Sequence, residues 1–252
     1  MKLSRKIIPA LAMLVMSAIM LTTASFAWFA TNADVNANDM SVNIKADSMY
    51  LLIASSTTEM SATQVQQLNT TATAGQTASK LDLKPTAHGD GLNGSTIGTV
   101  SNWYTKVADN KTASTASGEG TDLTTFENYV AIYDFYVTLA NGSPDAENLV
   151  LTEYSIQASV DSAASGTNQT LAPARVIIAC GDNMHEYKGS DATQTGLNAA
   201  LADRVTDDAV VKITVYLYFD GEDSTVFSDN IINLEDFDFT FKLSASADTA
   251  QN

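Results

Sequence analysis

One cysteine, two histidines, and 13 lysines and arginines against 29 acidic residues are all that this 252-residue chain carries of those types, and each scarcity closes a class of function. A lone Cys180 forms no internal disulfide. It ends the apolar run Ala174-Arg175-Val176-Ile177-Ile178-Ala179-Cys180, where a small buried residue is the simpler reading than a reactive thiol. With His88 and His185 as the only histidines, a catalytic triad or a metal centre has few candidates. His185-Glu186 opens a zinc-protease pattern, but Gly189 stands where the second histidine belongs, so that motif is absent. The net charge of -16 makes nucleic acid and anionic membrane surfaces poor partners. Neither Gly89-Asp90-Gly91 nor Gly118-Glu119-Gly120 leads into a P-loop lysine, so both read as turns. No internal repeat of about twenty to fifty residues is present. These absences leave no catalytic set, no metal ligands and no cofactor cradle, and the expectation is a protein that is not an enzyme.

What is present begins at the N-terminus. Lys2, Arg5 and Lys6 precede an apolar run from Ile7 to Leu21 broken only by Ser17, and Ser25-Phe26-Ala27 places small residues three and one positions before a cut between Ala27 and Trp28. That is the layout of a secretory signal peptide. The alternative is an uncleaved anchor, since no charge falls between Lys6 and Asp34. Thr22, Thr23 and Ser25 interrupt the run, Pro9 lies near its start and no basic stop-transfer cluster comes after it, which favours cleavage. Without its three basic leader residues the chain keeps 10 lysines and arginines against 29 acidic residues, a net charge of -19. The expected location is therefore secreted, extracellular or at the cell surface, with no stable membrane span after processing.

Strands dominate the remainder. Met40, Val42, Ile44 and Ala46 share one parity; Val150, Tyr154, Ile156, Ala158 and Val160 share another row; Val211, Ile213, Val215, Leu217 and Phe219, then Phe237, Phe239, Phe241 and Leu243, form two more. These predict half-buried antiparallel strands. Tyr129 to Leu139, apolar on both faces, predicts a central strand covered on both sides. The spacing of Leu197, Ala200, Leu201 and Val205 predicts a short amphipathic helix, and Val65 with Leu68 marks a further helical turn. Between residues 55 and 125 the chain turns to small polar residues, with Leu81, Leu83, Ile97, Val100, Trp103 and Tyr104 as its main apolar content, and reads as a long polar excursion unable to bury much area of its own. Asp220, Glu222 and Asp223 read as a solvent-facing acidic turn, since EF-hand spacing is not met.

The expected fold class is all-β: a two-sheet, jelly-roll-like β-sandwich with one or two short helices and an N-terminal signal helix. An immunoglobulin-like sandwich is the weaker variant, because the Cys-Trp-Cys framework is missing. The expected divisions are a signal peptide over 1–27, an extended arm over 28–39 and the sandwich over 40–252, with the polar insertion at about 55–125.

The arm carries the functional expectation. Phe29, Thr31, Ala33, Val35 and Ala37 have odd parity, whereas the row from Met40 is even, and a strand does not change faces without a break. Asn38-Asp39 is the place for it. The chain thus divides into two strand segments: 40–46, native to the sandwich, and 28–37, an arm able to pair with its own sheet or to complete a neighbour's. In the second case the contact is head-to-tail and generates a filament, with Trp28 or Phe29 as anchor. Alternatively, Trp28 and Phe29 are the interfacial end of the leader.

Several features, in their order, resemble the TasA/camelysin group of secreted matrix fibre proteins: the leader end Ala24-Ser25-Phe26-Ala27-Trp28-Phe29, the Asn-containing arm, the strand Met40-Ser41-Val42-Asn43-Ile44-Lys45-Ala46, the segment Tyr133-Asp134-Phe135-Tyr136-Val137 and the closing strand Phe237 to Ala245. The likeness covers both ends and the centre but not 55–125. It implies a jelly-roll subunit exported by the general secretory route, trimmed by a signal peptidase and polymerised by donor-strand exchange into biofilm-matrix fibres. By position, the donor arm would be Trp28, Phe29, Thr31, Ala33, Val35 and Ala37, and the partners copies of itself or a related fibre subunit. The second reading is a monomeric, cell-surface or wall-associated binding module that stacks sugars on Trp103 and Tyr104.

Overall fold

The structure, a computed structural model, describes residues 40–44, 50–67, 70–74, 83–89, 91–105, 120–158, 171–226 and 237–247. The leader, the Ala27-Trp28 junction, the arm residues Trp28, Phe29, Thr31, Ala33, Val35 and Ala37, and the expected strand residue Val160 all lie outside these. The described chain is an all-β sandwich of two five-stranded sheets, as its alternating rows predict. The first sheet has the order β11 (Thr193–Val205), β8 (Ala146–Ala158), β13 (Phe237–Ala247), β1 (Met40–Ile44), β3 (Thr71–Ala74). The second has the order β10 (Asn183–Lys188), β9 (Ala174–Cys180), β12 (Val211–Phe219), β7 (Val130–Leu139), β2 (Leu51–Ser55). Successive strands change sheet at most connections, the jelly-roll habit. A third, three-stranded sheet, β4 (Ala87–His88), β5 (Trp103–Thr105) and β6 (Thr121–Asp122), is built from the polar excursion.

Between the two large sheets lies an apolar core to which the predicted rows contribute. Ile213, Val215, Leu217 and Phe219 face Phe237, Phe239, Phe241 and Leu243, all buried. Edge-to-face ring pairs cross the layer, Phe135 to Phe241 at 5.4 Å and Phe219 to Phe237 at 5.3 Å, the arrangement that aromatic quadrupoles favour.

Strand β8 departs from its expected row. Tyr154 and Ile156 face the core as predicted, but Val150 is only half-buried and Ala158 is exposed, while Leu149 and Leu151 are fully buried. Ala158 keeps its register opposite Phe237 at the strand end, and the switch at 149–151 comes from the first of two bulges. Opposite β13 the register steps from Lys242↔Glu153 to Leu243↔Leu151, then from Ser244↔Val150 to Ser246↔Glu147, so β8 carries an extra residue at each place. Each extra residue flips the parity of the strand beyond it. Asn148 accommodates the second bulge in the left-handed region, at φ 54°.

The predicted helix over Leu197, Ala200, Leu201 and Val205 is instead strand β11. Residues 197, 201 and 205 are four apart, a spacing that suits a helical stripe and the alternation of a strand equally. Leu201 and Val205 are buried, and Ala200, whose place in the row suggested a helix, is exposed. Tertiary pairing with β8 decides the outcome, through a register that breaks between Thr195 and Ala199 and again between Ala200 and Ala202. Gly196, at φ 71°, supplies the first break. Among the described residues a short helix, Ala62–Val65, contains Val65 of the second helical expectation, whose Leu68 lies outside them, and carries a capping box between Ser61 and Gln64.

The second sheet is covered on both faces. In β12, Tyr216 and Tyr218 are buried as well as the inward row, and every residue of β9 is buried. The excursion provides the cover: Ile97, Trp103 and Leu123 pack with Val130, Ile177, Ala179, Tyr216 and Tyr218 in a second apolar cluster. The described part of the excursion thus buries its large side chains against a sheet face that already exists and not against one another alone. Gly94 fits this contact closely, because a Cβ there would stand 2.0 Å from the Gly181 carbonyl in the β9–β10 turn. Val65 and Met60 likewise cover Ala54 and Tyr136 at the β2–β7 side.

The strand assignment of β11 predicts that Leu201→Ala lowers unfolding free energy by about 2–5 kcal/mol, the range for truncating a buried leucine. Ala200→Thr, exposed on a strand, changes it by less than about 0.5 kcal/mol. Urea denaturation of both variants checks the pair, and a marked loss from Ala200→Thr would contradict the strand.

Candidate functional site

Where the excursion meets the second sheet, the buried Arg175 and the partly exposed His88, Glu186, Asp220 and Asp223 come together. Strand alternation assembles them. On β9, Arg175 shares the outer face with Ile177, opposite Cys180 and its inward neighbours; on β12, Tyr218 lies beside Arg175 in the ladder; on β10, Glu186 lies beside Ile177. Segment 83–89 then docks across the end of β12. Thr86 N–H donates to the Phe219 carbonyl at 2.8 Å, Gly221 N–H donates to the Thr86 carbonyl at 2.9 Å, and the Thr86 hydroxyl donates to the Tyr104 carbonyl at 2.9 Å. This places His88 over the outer face.

The His88 ring stands edge-on to Trp103 at 5.2 Å and to Tyr218 at 5.9 Å. Its Nε2 is 3.3 Å from Glu186 Oε1, and its Nδ1 is 3.3 Å from the Gly89 carbonyl. The same Glu186 oxygen accepts a hydrogen bond from the Tyr218 hydroxyl. Burial pushes the His88 imidazole down, but the bond to Glu186 and the Gly89 carbonyl outweigh it and leave the group above its ordinary value. Burial likewise pushes the Glu186 carboxyl up, and the bonds from His88 and Tyr218 hold it below the usual range. Burial, reinforced by the adjacent Glu186 charge, drives the Tyr218 phenol far up, so it serves as a donor and not as a phenolate nucleophile.

Arg175 anchors the neighbouring acidic turn. Its Nη2 lies 3.0 Å from Asp220 Oδ2 and 2.7 Å from Asp223 Oδ2, while Nη1 donates to the Ala172 and Ala174 carbonyls. Tyr104 closes the ring by donating to Glu222 at 3.1 Å. The turn predicted to face solvent is therefore drawn onto a buried guanidinium. Among the described residues no group of three His, Cys, Asp or Glu side chains could hold a metal ion.

The expected aromatic platform is not a surface. Trp103 is 0% exposed and donates its indole N–H to the Ile97 carbonyl at 2.9 Å, with Phe126 and Tyr218 edge-on at 5.9 and 5.0 Å. It belongs to the excursion's footing. His185 and Glu186, adjacent in sequence, leave β10 on opposite faces, and His185 Nε2 lies 2.7 Å from the Ala200 carbonyl, tying β10 to β11. They do not share a site. Cys180 is buried against the main core, and burial pushes its thiol up to about 11, which removes the thiolate at neutral pH. Sequence reasoning does not single out Arg175, Glu186 and Tyr218 as a cluster. The available signal is a lone arginine inside an otherwise apolar run, a residue that demands acidic partners when buried.

No family model matches the chain, and no curated protein matches it. A solved structure described as "AvmM Catalyzes Macrocyclization in Alchivemycin A Biosynthesis" is 8% identical, covering 49% of this chain and 82% of its own, with a TM-score of 0.23. Similarity at that level carries no argument for fold or activity. No helix among the described residues is long and apolar enough to cross a membrane.

The Arg175 arrangement predicts an asymmetry. The double change Asp220→Asn with Asp223→Asn strands a buried guanidinium and costs about 3–5 kcal/mol, whereas Arg175→Met, which removes the buried charge itself, costs less. Chemical denaturation at pH 7 measures both, and equal losses would show that the guanidinium is not the dominant buried charge.

Proposed function

We propose that this chain is a secreted structural subunit of extracellular or biofilm-matrix filaments, joined head-to-tail through a donor strand formed by residues 28–37. The observation that carries the reading is the change of side-chain parity at Asn38-Asp39, at the end of the arm that follows a leader with a small-residue cleavage site. The position of β1 supports it. Met40–Ile44 pairs in parallel with β13 and antiparallel with β3, so both of its edges have ladder partners without any contribution from the arm. An arm with its own inward row is then available to a neighbouring sheet, where main-chain bonds and alternate side-chain pockets provide the affinity. An aromatic anchor such as Trp28 or Phe29 buries about 150–250 Å², an upper bound of about 4–6 kcal/mol per ring. The partners are copies of the chain or a related fibre subunit, with a signal peptidase acting between Ala27 and Trp28. The resemblance to the TasA/camelysin group points the same way. We assign the protein no enzymatic activity, cofactor, metal or nucleic-acid partner, and no stable membrane span after processing. The sugar-stacking alternative has lost its main support, because the Trp103 ring is enclosed.

Two chains, residues 28–252 and residues 40–252, test the reading by electron microscopy and sedimentation velocity. Filaments from the longer chain alone are expected; filaments from both, or monomers from both, would refute the donor role. Intact-mass measurement of the secreted product is expected to give Trp28 as the first residue, and a retained leader would end the case.

A further inference from the structure

His88 ties the excursion's small sheet to the outer face through an imidazole–carboxylate pair, beside the Tyr104–Glu222 bond to the acidic turn. Both of its ring nitrogens face acceptors, Glu186 Oε1 and the Gly89 carbonyl, each at 3.3 Å. A neutral imidazole has one N–H and satisfies only one of them, leaving a lone pair against an oxygen; an imidazolium donates to both. Among the described residues, the nearby donors are already engaged. The Tyr218 hydroxyl on β12 is already directed at Glu186, Arg175 on β9 is held by Asp220 and Asp223, and Tyr104 on β5 donates to Glu222. Among the described residues, the acidic groups at this corner are Glu186 on β10 and Asp220, Glu222 and Asp223 on the turn after β12. The His88 side chain is 19% exposed and that of Glu186 32%, so the pair is partly shielded from water.

We propose that His88 is a proton-operated latch that holds the β4–β5–β6 flap on the outer face of the sandwich, closed by the imidazolium and loosened when the proton leaves. The footing of Trp103 in its apolar cluster keeps the opening local, confined to the flap and not shared by the two large sheets. The direction comes from linkage. Glu186, burial notwithstanding, is held below its ordinary 4.5 by His88 and Tyr218, so its contribution is present above that value and fades as pH falls through the lower, folded-state one. For His88, burial is outweighed by Glu186 and Gly89, the folded-state value lies above 6.5, and the contribution is complete below 6.5 and lost as pH rises through the folded-state value. The latch is therefore tightest in mildly acidic medium. This inference concerns the flap alone and stands apart from the filament reading.

Only two histidines are present, so ring-proton NMR of the full-length chain yields two titration curves, assigned with His88→Gln. The His88 curve is expected above 6.5 in the wild type, and Glu186→Gln should lower it, because the carboxylate that favours the imidazolium is gone. In parallel, amide exchange at Gly89 and Leu123, corrected for intrinsic rates, should quicken about tenfold between pH 6 and pH 8 while the β9–β12 ladder is unchanged. His88→Gln should remove that pH dependence. A wild-type His88 titrating at or below 6.5, or flap exchange indifferent to pH, would overturn the proposal, and both readings come from the wild type even where a variant fails to fold.

Discussion

The second sheet's need for cover on both faces is the constraint on which the rest of this structure depends. Strand β9 is buried along its whole length and β12 along most of it, so the sheet is stable only with apolar partners on each side. The first sheet supplies one side through its row of phenylalanines. The other falls to a segment whose composition is mostly small and polar, and it succeeds because a few large side chains, Ile97, Trp103 and Leu123, are delivered to one patch. Backbone bonds from Thr86 and Gly221 fasten that segment to the end of β12, so ordering a long connection is offset by a shared apolar cluster and by hydrogen bonds to an existing strand.

Polar groups enter this interior on strict terms. Arg175 lies in an apolar run and is tolerated because two carboxylates and two carbonyls surround it. Glu186 is likewise shared between His88 and Tyr218. Each of these groups joins segments far apart in sequence: β9 to the turn after β12, and the excursion to β10. They fix which loop lies where, while the apolar clusters supply most of the stabilisation. None has the geometry of an activated nucleophile, and the cluster reads as a clasp between elements.

The main rows of the sandwich are legible in the sequence because uninterrupted alternation has one interpretation. Phe237 to Leu243 and Ile213 to Phe219 face the core as their parity requires. Legibility fails where the backbone breaks step. In β8 the first of two surplus residues moves Leu149 and Leu151 inward and Val150 partly out, and nothing in the side-chain pattern announces a bulge beforehand. In β11 the four-residue spacing of Leu197, Leu201 and Val205 satisfies two periods at once. The excursion misleads for a different reason: its area is buried against a partner surface, and local composition does not reveal partners. The clasp is hidden likewise, since Arg175, Glu186, His88 and Tyr218 are brought together by topology alone. The arm proposed to link subunits rests on sequence parity, as it lies outside the described residues.

The irregularity of β11 has a further bearing on how such a protein behaves when crowded. Between Thr193 and Val205 it spans 13 residues against the 10 of β8 that run from Ser155 to Ala146. A border with three surplus residues presents its amides and carbonyls at uneven intervals, so it makes a poor template for another chain's strand. Side-by-side accretion of sheets, the route to cross-β deposits, is hindered along that margin.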